Sequence, residues 1–185
     1  MDSYTKRLTA LQEEIFRYLC IHSGQNFNLR GVAKSLGVSP TAVSNSLKEL
    51  VRQKLINVEK SKTMNLMSIE LNRDSVRAIE FKRVDNLKQI YISGIVQFLE
   101  EEFPGSSIVL FGSYSRGEDI YSNEAGHKSD IDIAIIGAKE KNIDLTGFSK
   151  KLERNIVINY YESWKVDTKL KNNILNGIFL SGGIE

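Results

Sequence analysis

The sequence has one cysteine, Cys20, in 185 residues, together with two prolines, one tryptophan and two histidines. A lone cysteine excludes an internal disulfide framework, and its place among apolar residues of a helical pattern predicts a buried structural thiol. No apolar run is long enough to span a bilayer, and the polar stretch after Met1 has no signal-peptide pattern. The expectation is therefore a cytoplasmic location with no membrane partner. There is no internal repeat and no low-complexity segment. The length allows one large domain or two small ones.

What is present is unevenly distributed. Residues 1–73 carry 11 Lys/Arg against 6 Asp/Glu, and residues 74–185 carry 14 against 17. A basic first part joined to a mildly acidic second part fits a nucleic-acid-binding module attached to something else.

In the first part, Leu8, Leu11, Ile15, Phe16, Leu19 and Cys20 recur at helical spacing and predict an amphipathic helix ending near Gly24. Asn28 can cap a second helix bearing Leu29, Val32, Ala33 and Leu36. After the turn at Gly37, Ser39 is an N-cap and Pro40 suits the first position of a third helix. The outer side of that helix offers Thr41, Ser44, Asn45, Lys48 and Arg52, short polar and basic groups able to reach base edges and phosphates. The same groups could equally solvate the face of a helical bundle. Leu55–Glu59 and Leu66–Leu71 then read as a β-hairpin with a basic tip.

Three helices and a two-stranded wing, with the phrase G-V-S-P-T-A-V-S-N-S-L-K-E-L-V-R-Q-K-L-I over residues 37–56, resemble the winged helix-turn-helix domains of bacterial and archaeal transcription regulators. The resemblance implies double-stranded DNA as a partner. It places Ser39, Thr41, Ser44, Asn45 and Lys48 at the DNA, with Lys60 and Lys62 on backbone phosphate or the minor groove. Such regulators commonly pair to match two-fold sites, which makes a homodimer an expectation.

From Asp74 to Phe103 the pattern is helical, with Gly94 as its weak point and room for a break near Val84–Asn86. Pro104-Gly105 ends it. The chemistry begins after it. Ile108–Phe111 is a wholly apolar strand, Gly112 permits a close turn, and Ser113 opens a helical turn whose free N–H groups favour an anion. The second strand carries Asp130 and Asp132 on one face and Ile131, Ile133 and Ile135 on the other. Two acids on one face of a buried strand repel each other, and a divalent cation between them resolves the conflict. Further strands are expected at Ile156–Tyr161 and in the tail after Gly177, with helices capped by Asp144 and over Thr168–Asn176.

The elements F-G-S-Y-S-R-G-E and S-D-I-D-I are similar to the signature of the DNA polymerase β-like nucleotidyltransferases, within them most to the minimal members, including antitoxin-type proteins and aminoglycoside nucleotidyltransferases. The resemblance covers about residues 86–180. It implies catalytic and metal-binding roles for Asp130 and Asp132 with Mg²⁺, or Mn²⁺ in its place. It also implies nucleotide binding by Gly112, Ser113, Arg116 and Ser129, with ATP as the natural donor and a protein among the acceptors. Arg116 either braces the loop through a carboxylate or lies near the triphosphate; bracing is given more weight.

Two departures stand out. Ile120–Lys128 reads as an insert, either a plain surface loop or a lid with His127 or Lys128 on phosphate. Active members also carry a third acid on the strand that here reads N-I-V-I-N-Y-Y-E. The candidates Asn155, Val157 and Asn159 are not acidic; Asn159 is the most natural position, flanked by Glu153 and Glu162. The fold expected is α+β, with a winged helix-turn-helix at 1–73, a helical connector at 74–85, and a nucleotidyltransferase-like α/β domain with a small mixed sheet at 86–185. Nucleotidyl transfer is the leading activity. The alternative is a regulator or antitoxin-type protein whose nucleotidyltransferase-like domain holds nucleotide with little or no turnover.

Overall fold

The fold was analysed in a computed structural model that describes residues 7–60, 67–121, 129–165 and 167–183. The chain divides into two compact units, one of Met1–Lys82 with Ile120–His127 and one of Arg83–Asp119 with Lys128–Glu185.

The first unit contains α1 (Ala10–Ile21), α2 (Leu29–Leu36), α3 (Pro40–Arg52), β1 (Ile56–Lys60) and β2 (Met67–Leu71). Thr9 and Gln12 form a capping box at the start of α1, Asn28 accepts the Gly31 N–H, and Ser39 accepts the Ala42 N–H ahead of Pro40. Gly37 ends α2 at φ +66, a left-handed value that favours glycine. The apolar stripes of the three helices meet the wing at Ile15, Leu19, Val32, Val43, Leu50 and Ile69, each almost wholly buried. Cys20 is buried there too, as its setting predicted. β1 and β2 are antiparallel, with Ile56 opposite Leu71. This is the winged helix-turn-helix arrangement.

The helix from Val76 to Ser93, α4, has its residues up to Lys82 in the first unit and the rest in the second. It does not break near Val84–Asn86. The break falls at Gly94, where φ reaches +83, and a separate helix, α5, follows over Ile95–Glu102. Asn86 instead stays helical and is buried by a polar network described below.

The second unit then runs β3 (Ser107–Phe111), α6 (Gly112–Arg116), β4 (Ile131–Ile136), α7 (Thr146–Leu152), β5 (Ile156–Tyr161), α8 (Thr168–Leu175) and β6 (Ile178–Ser181). The strands form one sheet in the order β5-β4-β3-β6, with β4 and β5 parallel and the other pairs antiparallel. Ile108, Leu110, Ile131, Ile133 and Ile135 bury one face with α5 and α7. Val109, Phe111, Ala134 and Ile136 bury the other with Ile174 of α8. The fold as a whole is α+β, with a small mixed sheet. Among the described residues no helix is long and apolar enough to cross a membrane.

Candidate functional site

The strand β3 is buried along its whole length because all but one of its side chains are apolar and both faces of the sheet are covered. It ends at Phe111, and the backbone turns at Gly112 with φ +78. Phe111 is the register partner of Asp132 on β4. This pairing brings Gly112 against the aspartate: a Cβ built on Gly112 would lie 3.2 Å from Asp132 Cγ and closer still to Oδ2. Only glycine leaves that space.

The short helix α6 begins there, and Phe111 at its N-cap makes no side-chain bond to it. Ser113 is half-buried in its first turn, and the Ser115 hydroxyl donates to the Gly112 carbonyl at 2.9 Å. Gly117 closes the helix in a left-handed conformation. Arg116 is exposed, and its Nε donates to Glu118 Oε2 at 2.7 Å, two residues along the same loop.

Below this loop lies a network that sequence reasoning passed over. Asp119 is 1% exposed and accepts from Asn86 Nδ2 at 2.8 Å and from Arg154 Nη2 at 3.3 Å. Asn86 also donates to the Tyr114 carbonyl in α6 at 2.9 Å. A buried acid must be paired to be tolerated, and here the pairing ties α4, α6 and the end of α7 into one scaffold under the glycine turn. The only sequence signal was an aspartate directly after R-G-E in the motif.

Asp130 and Asp132 reach the same face, flanking Ile131. Asp132 is half-buried, and its carboxyl is pushed above the usual carboxylate range by burial first and by the Asp130 charge second. The Tyr161 hydroxyl is also pushed up, mainly by burial and further by the Asp132 charge. Asn155 donates to Asp130 Oδ1 at 3.3 Å. Ser129, half-buried, immediately precedes Asp130. Gly112 and Asp132 are thus in direct apposition, Asp130 is electrostatically coupled to Asp132, and Arg116 is engaged with Glu118.

The place of the third acid needs correction. The parallel register sets Val157 beside Asp132, whereas Asn159 lies beside Ala134, one pleat further along. Glu153 is in the left-handed turn that ends α7, and Glu162 is exposed beyond β5. Among the described residues, no cluster of three or more His, Cys, Asp or Glu side chains comes together.

Of the predicted insert, Tyr121 belongs to the first unit. Its N–H donates to the Ser23 carbonyl at 2.7 Å, and its ring lies 5.1 Å from that of His22. His127 and Lys128 lie outside the described residues.

On α3, Thr41, Asn45 and Lys48 are exposed at spacings of four and three, so they share one face, with Ser44 half-buried beside them. Ser39 is occupied in capping the helix, and Arg52 is drawn onto Glu49 through Nε at 3.0 Å and Nη2 at 2.6 Å. Lys60 is the last residue of β1, while Lys62 lies outside the described residues.

Several solved structures resemble part of the fold. The zinc-responsive MarR family member ZitR of Lactococcus lactis is 23% identical with a TM-score of 0.41, over 56% of this chain and 68% of that one. The adhesin competence repressor AdcR of Streptococcus pyogenes is 23% identical with a TM-score of 0.41, over 54% and 70%. MepR of S. aureus, in a complex with DNA, is 23% identical with a TM-score of 0.35, over 51% and 81%. No curated protein matches the sequence. Residues 92–178, which hold Gly112, Ser113, Ser129, Asp130 and Asp132, match the family model described as the nucleotidyltransferase domain.

Proposed function

We propose that the second unit binds a nucleoside triphosphate, ATP foremost, and transfers its nucleoside monophosphate to a hydroxyl acceptor. One observation carries this reading: Gly112, the turn after β3, lies bare against the Asp132 carboxylate on the face that Asp130 shares. An anion-binding turn is thereby set beside a pair of acids.

The residues fit a divalent cation. Two carboxylates with one held high by burial and by its neighbour's charge form a hard oxygen donor set that a cation would relieve, and substrate phosphates complete such a shell. Asp130 and Asp132 would hold Mg²⁺ or Mn²⁺. When bound, the ion supplies charge neutralisation at the reacting phosphate. The backbone at Gly112 and the Ser113 hydroxyl would bind the β- and γ-phosphates, with Ser129, next to Asp130 in the chain, assisting. Arg116 acts by bracing the loop through Glu118. In the transfer, the acceptor oxygen bonds to the α-phosphorus as the bond to the bridging oxygen breaks; pyrophosphate departs, and the acceptor's proton leaves to solvent. Val157, beside Asp132, can neither ligate a cation nor take the acceptor's proton. This favours a slow enzyme, and it is the observation behind a second reading, in which the unit holds nucleotide as a signal without turnover.

We also propose that double-stranded DNA binds the first unit, through Thr41, Ser44, Asn45 and Lys48 of α3, with Ser39 ordering its N-terminus and with Lys60 and Lys62 as contacts to phosphate. Regulation of transcription is then the setting, and the antitoxin-type relatives noted from the motif supply a protein as one class of acceptor.

The test is incubation with α-labelled ATP and Mg²⁺ or Mn²⁺, alone and with cell extract. Label transferred to an acceptor and lost in Asp130→Asn and Asp132→Asn supports the enzyme. Nucleotide binding that is intact with no label under any condition supports the sensor, and no binding of either kind defeats both.

A further inference from the structure

We infer that the outer edge of β5 is a pairing surface for a second copy of this chain, joined antiparallel about a two-fold axis at Ile158. β5 is an outer strand of the four-stranded sheet. The Ile131 N–H donates to the Asn155 carbonyl and the Gly137 N–H to the Tyr161 carbonyl, each at 2.8 Å. In a parallel ladder this fixes the alternation: Asn155, Val157, Asn159 and Tyr161 turn their backbone groups to β4. Ile156, Ile158 and Tyr160 therefore turn their N–H and C=O groups outward, where no described residue bonds to them.

Natural sheets protect such an edge with lysine, proline, a bulge or brevity. The other outer strand, β6, follows that rule: it has four residues and a register shift where it pairs with β3. The sequence of β5, I-V-I-N-Y-Y, has none of these devices over six residues, and all of its side chains but the first are only half-buried. The edge is regular, uncharged and unguarded.

It is also self-complementary. The three outward residues are symmetric about Ile158. A two-fold axis there sets Ile158 opposite Ile158 of the second copy, and Ile156 opposite its Tyr160 in both directions. Each such pair exchanges two hydrogen bonds, so every outward donor and acceptor on both strands is used. The facing side chains are aliphatic with aliphatic and aliphatic with aromatic, pairings that stabilise a sheet, and no like charges meet. The two sheets become one, with Asn159 of each copy opposite Val157 of the other. The two Asp132 residues then lie on one continuous face, about 16 Å apart by strand spacing and rise. A second copy is the occupant that matches this symmetry without requiring a sequence from elsewhere.

The experiment uses the full chain, with sedimentation to measure mass and residue-resolved amide exchange across a concentration series. Expected is a rise to twice the monomer mass, accompanied by slowing of the Ile156, Ile158 and Tyr160 amides by about tenfold or more. The Val157, Asn159 and Tyr161 amides stay slow throughout. Ile158→Pro removes only an outward donor and should remain monomeric at concentrations where the parent chain is dimeric. Ile158→Lys, which opposes two charges at the axis, should do the same if the proline variant fails to fold. A chain that stays monomeric, a dimer in which the three outward amides still exchange fast, or a dimer that survives in a folded Ile158 variant overturns the inference. Protection of those amides without a change in the chain's own mass assigns the edge to another protein and overturns it as well.

Discussion

Asp132 and Val157 are register partners across β4 and β5, so the side chain set beside the half-buried aspartate on the neighbouring strand is a small hydrocarbon. That relationship sets how the site can work. On the proposed reading, a carboxylate at the same position would share a cation with Asp132, whereas valine offers no donor.

Val157→Asp should therefore add a ligand. The expected result is Mn²⁺ affinity increased on the order of tenfold, measured by calorimetry or electron spin resonance, with nucleotidyl transfer rising in parallel. Val157→Ala should change neither. Equal affinity in Val157→Asp would mean that the acids are not arranged to share an ion.

Gly112→Ala combines a left-handed backbone with a Cβ driven into the Asp132 carboxylate. A loss of stability of about 1–3 kcal/mol is expected, seen as a lower urea midpoint. Binding of ATP with Mg²⁺ should fall more than the stability change accounts for at saturating folded protein, and fluorescence of the single tryptophan, Trp164, offers one readout.

The Asp119–Arg154 pair is almost wholly buried. Arg154→Met leaves a buried acid with less compensation and should cost about 3–5 kcal/mol. Asp119→Asn with Arg154→Met together should cost less than the sum of the two single changes, as a double-mutant cycle in urea would show. Strict additivity would mean that the two side chains do not stabilise one another.

Asp144 accepts the Thr146 N–H at 2.9 Å at the start of α7, and that bond, with help from Lys150, holds its carboxyl below the usual aspartate range. A depressed native value means that the unfolded chain binds the proton more tightly. The contribution of Asp144 is present above the ordinary aspartate value and is lost as pH falls through the lower native one. The stability gap between the parent and Asp144→Ala should be widest near neutrality and close in acid, in urea titrations across pH 2–7.

For the first unit, Lys48→Ala should weaken DNA binding evenly across sequences and lower the salt slope by about one unit. Asn45→Ala should change sequence preference more than salt dependence. Binding that is indifferent to salt would remove α3 from the interface.

Much of this was legible before any coordinates. The caps at Asn28 and Ser39, the apolar β3 and the alternation in D-I-D-I-A-I-I are local signals, and each led to the element observed. That the segment from Asn155 to Asn159 carries no acid was legible as well, from composition alone. The pleat facing Asp132 was not, since register is a relation between strands and a slip of two residues keeps every side chain on its face. Gly94, the expected weak point, is where the helix breaks. The further break allowed near Val84–Asn86 does not occur, because Asn86 is held by Asp119 and Tyr114, more than 25 residues away.

The second unit cannot complete its sheet until β6 has been made. β3 holds the centre of the sheet, and its partner Phe179 in β6 lies 70 positions after Val109. As the chain leaves the ribosome, the segment from α1 to β2 is complete before β3 is made. The flank of β3 stays unpaired until β6 emerges. Until it does, a strand that is buried along its whole length in the finished sheet presents an open edge to its surroundings. Synthesis itself thus passes through a stage in which folded winged units are tethered to unfinished sheets, the stage at which a chaperone would matter most.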